Sequence, residues 1–194
     1  MKKNYWVLVL FVLAKFILQY SLISPEYELH RDEYLHLDQA NHLAWGYLSV
    51  PPVNSWLAWL IKELGNTVFW VKFFPALFGA LTIVLTWKTV EELNGSLLLK
   101  YSLLWNLVFS APSGQYAVSA HFPGDFLWLF LYFSLIRYFN SRKVKWLYIG
   151  AVIFGIGILN KYNIAFSLLG LVPALLLTEQ RKILCSLIYI GQHF

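Results

Sequence analysis

The densest run of ionisable side chains in the 194-residue sequence is 26-EYELHRDEYLHLDQANHLAWGY-47. Adjacent Asp32 and Glu33 offer carboxylates for proton transfer, the work of a general base on an attacking hydroxyl. The spacing of Leu37, Ala40, Ala44 and Leu48 predicts a helix from about Asp32 to Trp45. Both acids then stand at its N-terminus, where the helix dipole stabilises negative charge. A structural pair would stand there too, with Asp32 as N-cap and Glu33 as a first-turn acid, so spacing alone leaves both roles open. His36 follows Asp32 by four residues and His42 follows Asp38 by four. Each pair could share a helix face and hold a metal, but no HExxH and no cysteine pair accompanies them.

Two further positions stand out. Asp125, in 121-HFPGDFLWLFLYF-133, sits where a polar stretch enters an apolar helix. A carboxylate at membrane depth is costly and points to function unless it caps the helix. Lys161, in 155-GIGILNKYN-163, is a cation between two short apolar stretches. It either snorkels or partners an anion. His36 and His121 join Lys161 as candidates for substrate contact.

The elements that must position these residues are apolar helices. Spans of about 20 residues are predicted at Tyr5–Ile23, Val68–Trp87, within Leu97–Ala120, Phe122–Tyr138, Trp146–Asn160 and Tyr162–Thr178. Lys15 and Gln19 interrupt the first, so one of its faces should pack on protein. Lys72 lies near one end of the second. Pro112, Ser113 and Gly114 should end the regular part of the third. Between the first two spans, Val53–Leu64 is apolar but too short to cross, and Trp56 and Trp59 suit an interfacial helix. Ile183–Phe194 opens a seventh stretch that is also too short. The expected architecture is therefore all-α: a polytopic membrane helical bundle of about six spans plus a truncated seventh. Residues 1–194 read as the N-terminal part of one transmembrane domain, with 24–67 as its first extracytoplasmic loop.

Charge sets the expected orientation. With the N-terminus inside, Lys2, Lys3, Lys88, Lys100, Arg137, Arg142, Lys143, Lys145, Arg181 and Lys182 are all cytoplasmic. Only Arg31, Lys62, Lys72 and Lys161 fall outside, as the positive-inside rule favours. Glu26, Glu28, Asp32, Glu33, Asp38, Glu63 and Asp125 fall outside with them, so an active site is expected on the extracytoplasmic face of the plasma (inner) membrane.

Composition narrows the classes. Hydrophobic residues make up 59% and charged residues 13%, against about 45–50% and about 25% in soluble domains. A soluble domain and a disordered chain are excluded. The single Cys185 excludes a disulfide scaffold. The net charge of +5 is explained by membrane orientation, so no nucleic-acid partner is expected. No P-loop, GxGxxG or GxSxG motif is present, which argues against a nucleotide-driven pump.

HRDE in the first outside loop, HLAWGYLSVPP after it, PGD opening the fourth span and then GIGILNKYN together resemble a known family. They are similar to the bacterial relatives of dolichyl-phosphate-mannose protein mannosyltransferases, a group that includes the lipid A aminoarabinose transferase. These are GT-C class glycosyltransferases, multi-span enzymes using polyprenyl-phosphate sugars outside the cytoplasm. The resemblance implies that Asp32 matches the catalytic aspartate of the first loop, Glu33 its acidic neighbour and Asp125 the second acid. Lys161 falls near a basic position that could serve the donor phosphate. Several relatives carry Lys before the double proline, where this chain has Val50, and the aminoarabinose transferase has a metal-holding Glu where this chain has Ser49. No metal or other cofactor is therefore implied.

The expected reaction is transfer of a sugar from a polyprenyl-phosphate donor to a hydroxyl of a lipid, glycan or protein acceptor. A sugar on a lipid phosphate already has a good leaving group. An inverting displacement lacks only a base for the acceptor, and a lysine can stabilise the departing phosphate. The paired acid and base of glycosidases is not required. One alternative is a non-catalytic membrane subunit or a gene remnant. Another is a small transporter, which would carry mid-span charges or paired repeats; only Lys15 reads as clearly buried within a span, and no repeat is visible.

Overall fold

The computed structural model describes residues 5–23, 29–48, 50–109 and 121–178, without the side chains of His121 and Phe122. Eight α-helices follow in order: α1 (Tyr5–Ser21), α2 (Arg31–Gln39), α3 (Val53–Glu63), α4 (Val68–Glu92), α5 (Leu97–Phe109), α6 (His121–Ser141), α7 (Lys145–Asn160) and α8 (Phe166–Leu177). A 3-10 turn, Tyr162–Ala165, joins the last two. Among the described residues there is no strand.

Each expected span is found as a helix, with shifted bounds. Among the described residues, α4 is the one helix both long and apolar enough to cross a membrane by itself. Its 25 residues rise about 37 Å at about 1.5 Å each. The 17 residues of α1 rise about 25 Å, short of about 30 Å of hydrocarbon. The expected segments 110–120 and 183–194 lie outside the described residues.

Helix α4 is the centre of the bundle. It runs antiparallel to α1, because Lys88 Nζ donates to the Tyr5 hydroxyl at one end (3.2 Å) and the Tyr20 hydroxyl donates to the Phe69 carbonyl at the other (3.1 Å). Lys15 and Gln19 are buried in this interface, so α1 does turn a polar face toward protein. Helix α4 runs parallel to α6, since Phe78 meets Phe126 while further along Glu92 pairs with Arg137 and accepts from Asn140. Helix α7 returns antiparallel along α6, with Trp146 against Phe133. The cores follow this order: Leu8, Ile83, Trp87 and Leu104 join α1, α4 and α5, and Leu127, Leu131, Ile153 and Ile164 join α6, α7 and the 3-10 turn.

Two chemically different ends result. One gathers Lys88, Glu91, Lys100, Glu92 and Arg137, with Lys100 bridging to Glu91 at 3.3 Å and lying over the Trp87 ring. The other gathers α2, α3, the start of α4, the start of α6 and the end of α7. Asp32, Glu33, His36, Asp125 and Lys161 all belong to this second end.

Candidate active site at one end of the bundle

Helix α2 is shorter than its apolar spacing suggests. It ends at Gln39, because the chain folds back and supplies side-chain donors to carbonyls there. The Tyr47 hydroxyl donates to the carbonyls of Gln39 (3.0 Å) and His42 (3.1 Å), and Trp56 Nε1 donates to that of Ala44 (3.2 Å). His42 therefore lies beyond the helix, and the expected Asp38–His42 face does not form. Among the described residues no group of three or more His, Cys, Asp or Glu side chains could hold a metal ion.

The start of α2 also differs from expectation. Its N-cap is His30, not Asp32. The Asp32 N–H donates to His30 Nδ1 at 3.3 Å, and the His30 N–H donates to Glu33 Oε2 at 2.6 Å. This reciprocal capping box satisfies backbone donors that a helix start leaves open. With the cap supplied by His30, the Asp32 carboxylate is not spent on the backbone. Its side chain is 38% exposed, near Arg31 Nε at 3.6 Å and His30 Nδ1 at 3.9 Å.

Glu33 has the opposite environment. It is completely buried, and Lys72 Nζ of α4 donates to both its oxygens, at 2.9 Å and 2.7 Å. Lys72 is buried as well. Its partnership was not read from the sequence, although a signal existed. A lone lysine in the apolar run VFWVKFF either snorkels or finds a counter-ion, and the nearest preceding acids lie in the first loop.

His36 sits between α2 and α3 rather than toward solvent. It is 3% exposed, and its Nδ1 lies 3.3 Å from Gln39 Oε1, which also accepts from the Ser55 hydroxyl at 2.7 Å. The shared acceptor makes Nδ1 the protonated nitrogen of the neutral ring. Burial pushes the imidazole pKa below its usual 6.5, against the opposing pull of the Gln39 hydrogen bond and the Asp32 charge.

Asp125 lies one turn inside α6 and is exposed. Lys161 follows the end of α7 in an extended conformation. Its N–H donates to the Gly157 carbonyl at 2.8 Å, and its carbonyl accepts from the Ile164 N–H at 3.3 Å. Gly157 lets the 3-10 turn pack closely here, because a Cβ would press on the end of the Ile164 side chain and force it to shift. A Cβ on Gly124 would stand 3.2 Å from Asn160 Nδ2. That close approach puts the start of α6 beside the end of α7, and so places Asp125 and Lys161 in neighbouring stretches of backbone. Lys161 is half-buried, and no carboxylate among the described residues pairs with it. The His121 side chain, the other expected substrate contact, lies outside the described residues.

The helical bundle thus carries exposed carboxylates and a cation at one end and a cluster of basic side chains at the other. The sequence model of the dolichyl-phosphate-mannose-protein mannosyltransferase family matches residues 49–193, and the chain belongs to that family. The family is one of membrane glycosyltransferases that use polyprenyl-phosphate sugar donors. Asp125 and Lys161 fall within the match; Asp32, Glu33 and His36 precede it. No curated protein and no solved structure matches the chain.

Proposed function

We propose that the protein transfers a sugar from a polyprenyl-phosphate donor to an acceptor hydroxyl, with inversion, and that Asp32 is the general base. The observation that carries this reading is the contrast between two adjacent acids. Glu33 is sealed into an ion pair, while Asp32 is released from capping duty and open to solvent. The acceptor oxygen attacks the anomeric carbon, the bond from that carbon to the phosphate oxygen breaks, and Asp32 receives the hydroxyl proton. Lys161 faces the departing phosphate and offsets its charge. Asp125, on the neighbouring helix, orients donor or acceptor. Glu33, without solvent access, supports Asp32 rather than exchanging protons with substrate.

The membrane reading places this end outside the cytoplasm. The opposite end, with Lys88, Lys100 and Arg137, meets the cytoplasmic charge preference. The family match supports the donor class, and the gathering of Asp32, Asp125 and Lys161 at one end supports the site. The test is transfer of radiolabelled sugar from a polyprenyl-phosphate donor by membranes carrying the protein, with the matching nucleotide sugar as the control donor. Label transfer from the lipid-linked sugar alone is expected. Transfer from neither donor, or only from the nucleotide sugar, contradicts the reading.

A further inference from the structure

Lys72 and its partner Glu33 form a buried ion pair set back from the surface that carries the exposed acids, and the geometry of that bond shows what Lys72 can do. The Glu33 carboxylate it holds also accepts the His30 N–H. One buried group thus closes the first turn of α2 and ties that turn to α4. A nine-residue helix has little stability of its own, so α2 takes its place from such ties. Its far end is held separately, by the Ser55 hydroxyl on Gln39. Leu29 and Leu37 add apolar contact with Ile61, Val71 and Phe74. Helix α4 also packs on α6, which carries Asp125.

A buried ion pair is a poor source of stability compared with apolar packing of similar volume, because desolvation of both charges offsets their attraction. What it supplies is direction. We propose that Lys72 is a positioning residue that acts through Glu33 to fix Asp32 against α4 and hence in register with Asp125 on α6. This rests on the glycosyltransferase reading for the role of Asp32 but not for the mechanical claim. Lys72 itself touches no substrate.

The experiment is a double-mutant cycle in membranes, using Lys72→Met, Glu33→Gln and the double variant. Gln at 33 keeps an oxygen for the His30 N–H and removes the charge. The first readout needs no turnover. Asp32→Cys is introduced in a Cys185→Ser background, and its rate of maleimide labelling is measured with and without the Lys72 and Glu33 changes. Lys72→Met strands a buried carboxylate, so labelling should quicken about threefold or more as the first turn loosens; the double variant should return toward the parent rate. The second readout is transfer kinetics with Asp32 restored. Lys72→Met should lower kcat about tenfold to about 10²-fold, as expected for a misplaced base, while leaving the donor KM unchanged. The double variant should recover most of that loss. Unchanged labelling in Lys72→Met overturns the proposal. So does a raised donor KM that the double variant shares in full, since Lys72 would then bind the donor directly. Because labelling requires no activity, it decides the positioning claim even if sugar transfer is absent.

Discussion

Lys72 Nζ on α4 stands 2.9 Å and 2.7 Å from the two carboxylate oxygens of Glu33 on α2, and both side chains are buried. Removing one partner leaves a charge without compensation, which typically costs about 3–5 kcal/mol, whereas removing both costs far less. Thermal unfolding in detergent should show this asymmetry. Lys72→Met should melt well below wild type, and Glu33→Gln with Lys72→Met should melt above Lys72→Met alone. Equal melting of the single and double variants would mean that the pair is not coupled.

His36 gives the first loop a dependence on acid. Its folded-state pKa is depressed below 6.5 by burial, so the folded protein binds fewer protons than the unfolded chain below that pH. The stability linked to neutral His36 is therefore complete above about pH 6.5 and is lost as pH falls from there toward the depressed value. Melting temperature measured between pH 7.5 and pH 5, at about half-unit steps, should fall on the acid side in wild type. It should fall less in His36→Asn, which keeps a donor near Gln39. Parallel profiles would exclude His36 as the source.

Much of the bundle was legible because apolar runs of near-membrane length leave few alternatives to helix, and α1, α3, α4, α6 and α7 lie close to their expected positions. The buried face of α1 followed from Lys15 and Gln19, polar groups that lipid would not accept. What was not legible depends on contacts distant in sequence. Neither the early end of α2, set by Tyr47 and Trp56, nor the capping role of His30 has a local pattern. Asp32 and Glu33 look equivalent in a string of letters; Lys72, 39 positions beyond Glu33, makes them different. Apolar character places these helices in the sequence, but it does not fix their length, which is why their bounds shift.

Asp125 and Lys161 yield a paired prediction. Lys161→Met keeps the aliphatic stem and removes the charge. It should weaken donor use about tenfold or more, through affinity or rate, while Lys161→Arg retains part of the activity. Asp125→Asn should alter donor or acceptor kinetics with less effect than loss of the base. Donor-dependence of transfer, with insertion checked by membrane extraction, separates the outcomes. Wild-type kinetics in Lys161→Met would reduce that lysine to a snorkelling group.

Orientation is tested by chemical access. Leu48→Cys, fully exposed beside α3, and Lys143→Cys, between α6 and α7, are each introduced in a Cys185→Ser background. A membrane-impermeant maleimide on intact cells should label the first and spare the second. The reverse pattern would put Asp32 and Asp125 on the cytoplasmic side and contradict the proposed site.

The central claim is that Asp32 takes the proton of the acceptor. Asp32→Asn preserves shape and polarity while removing the proton acceptor, and His30 rather than Asp32 caps α2, so the fold should survive. The decisive measurement is the rate of sugar transfer at saturating donor by membranes carrying equal amounts of inserted wild-type and Asp32→Asn protein. A fall of about 10²-fold or more, within the range ascribed to general-base catalysis, is the predicted result. Turnover by Asp32→Asn at the wild-type rate would contradict it.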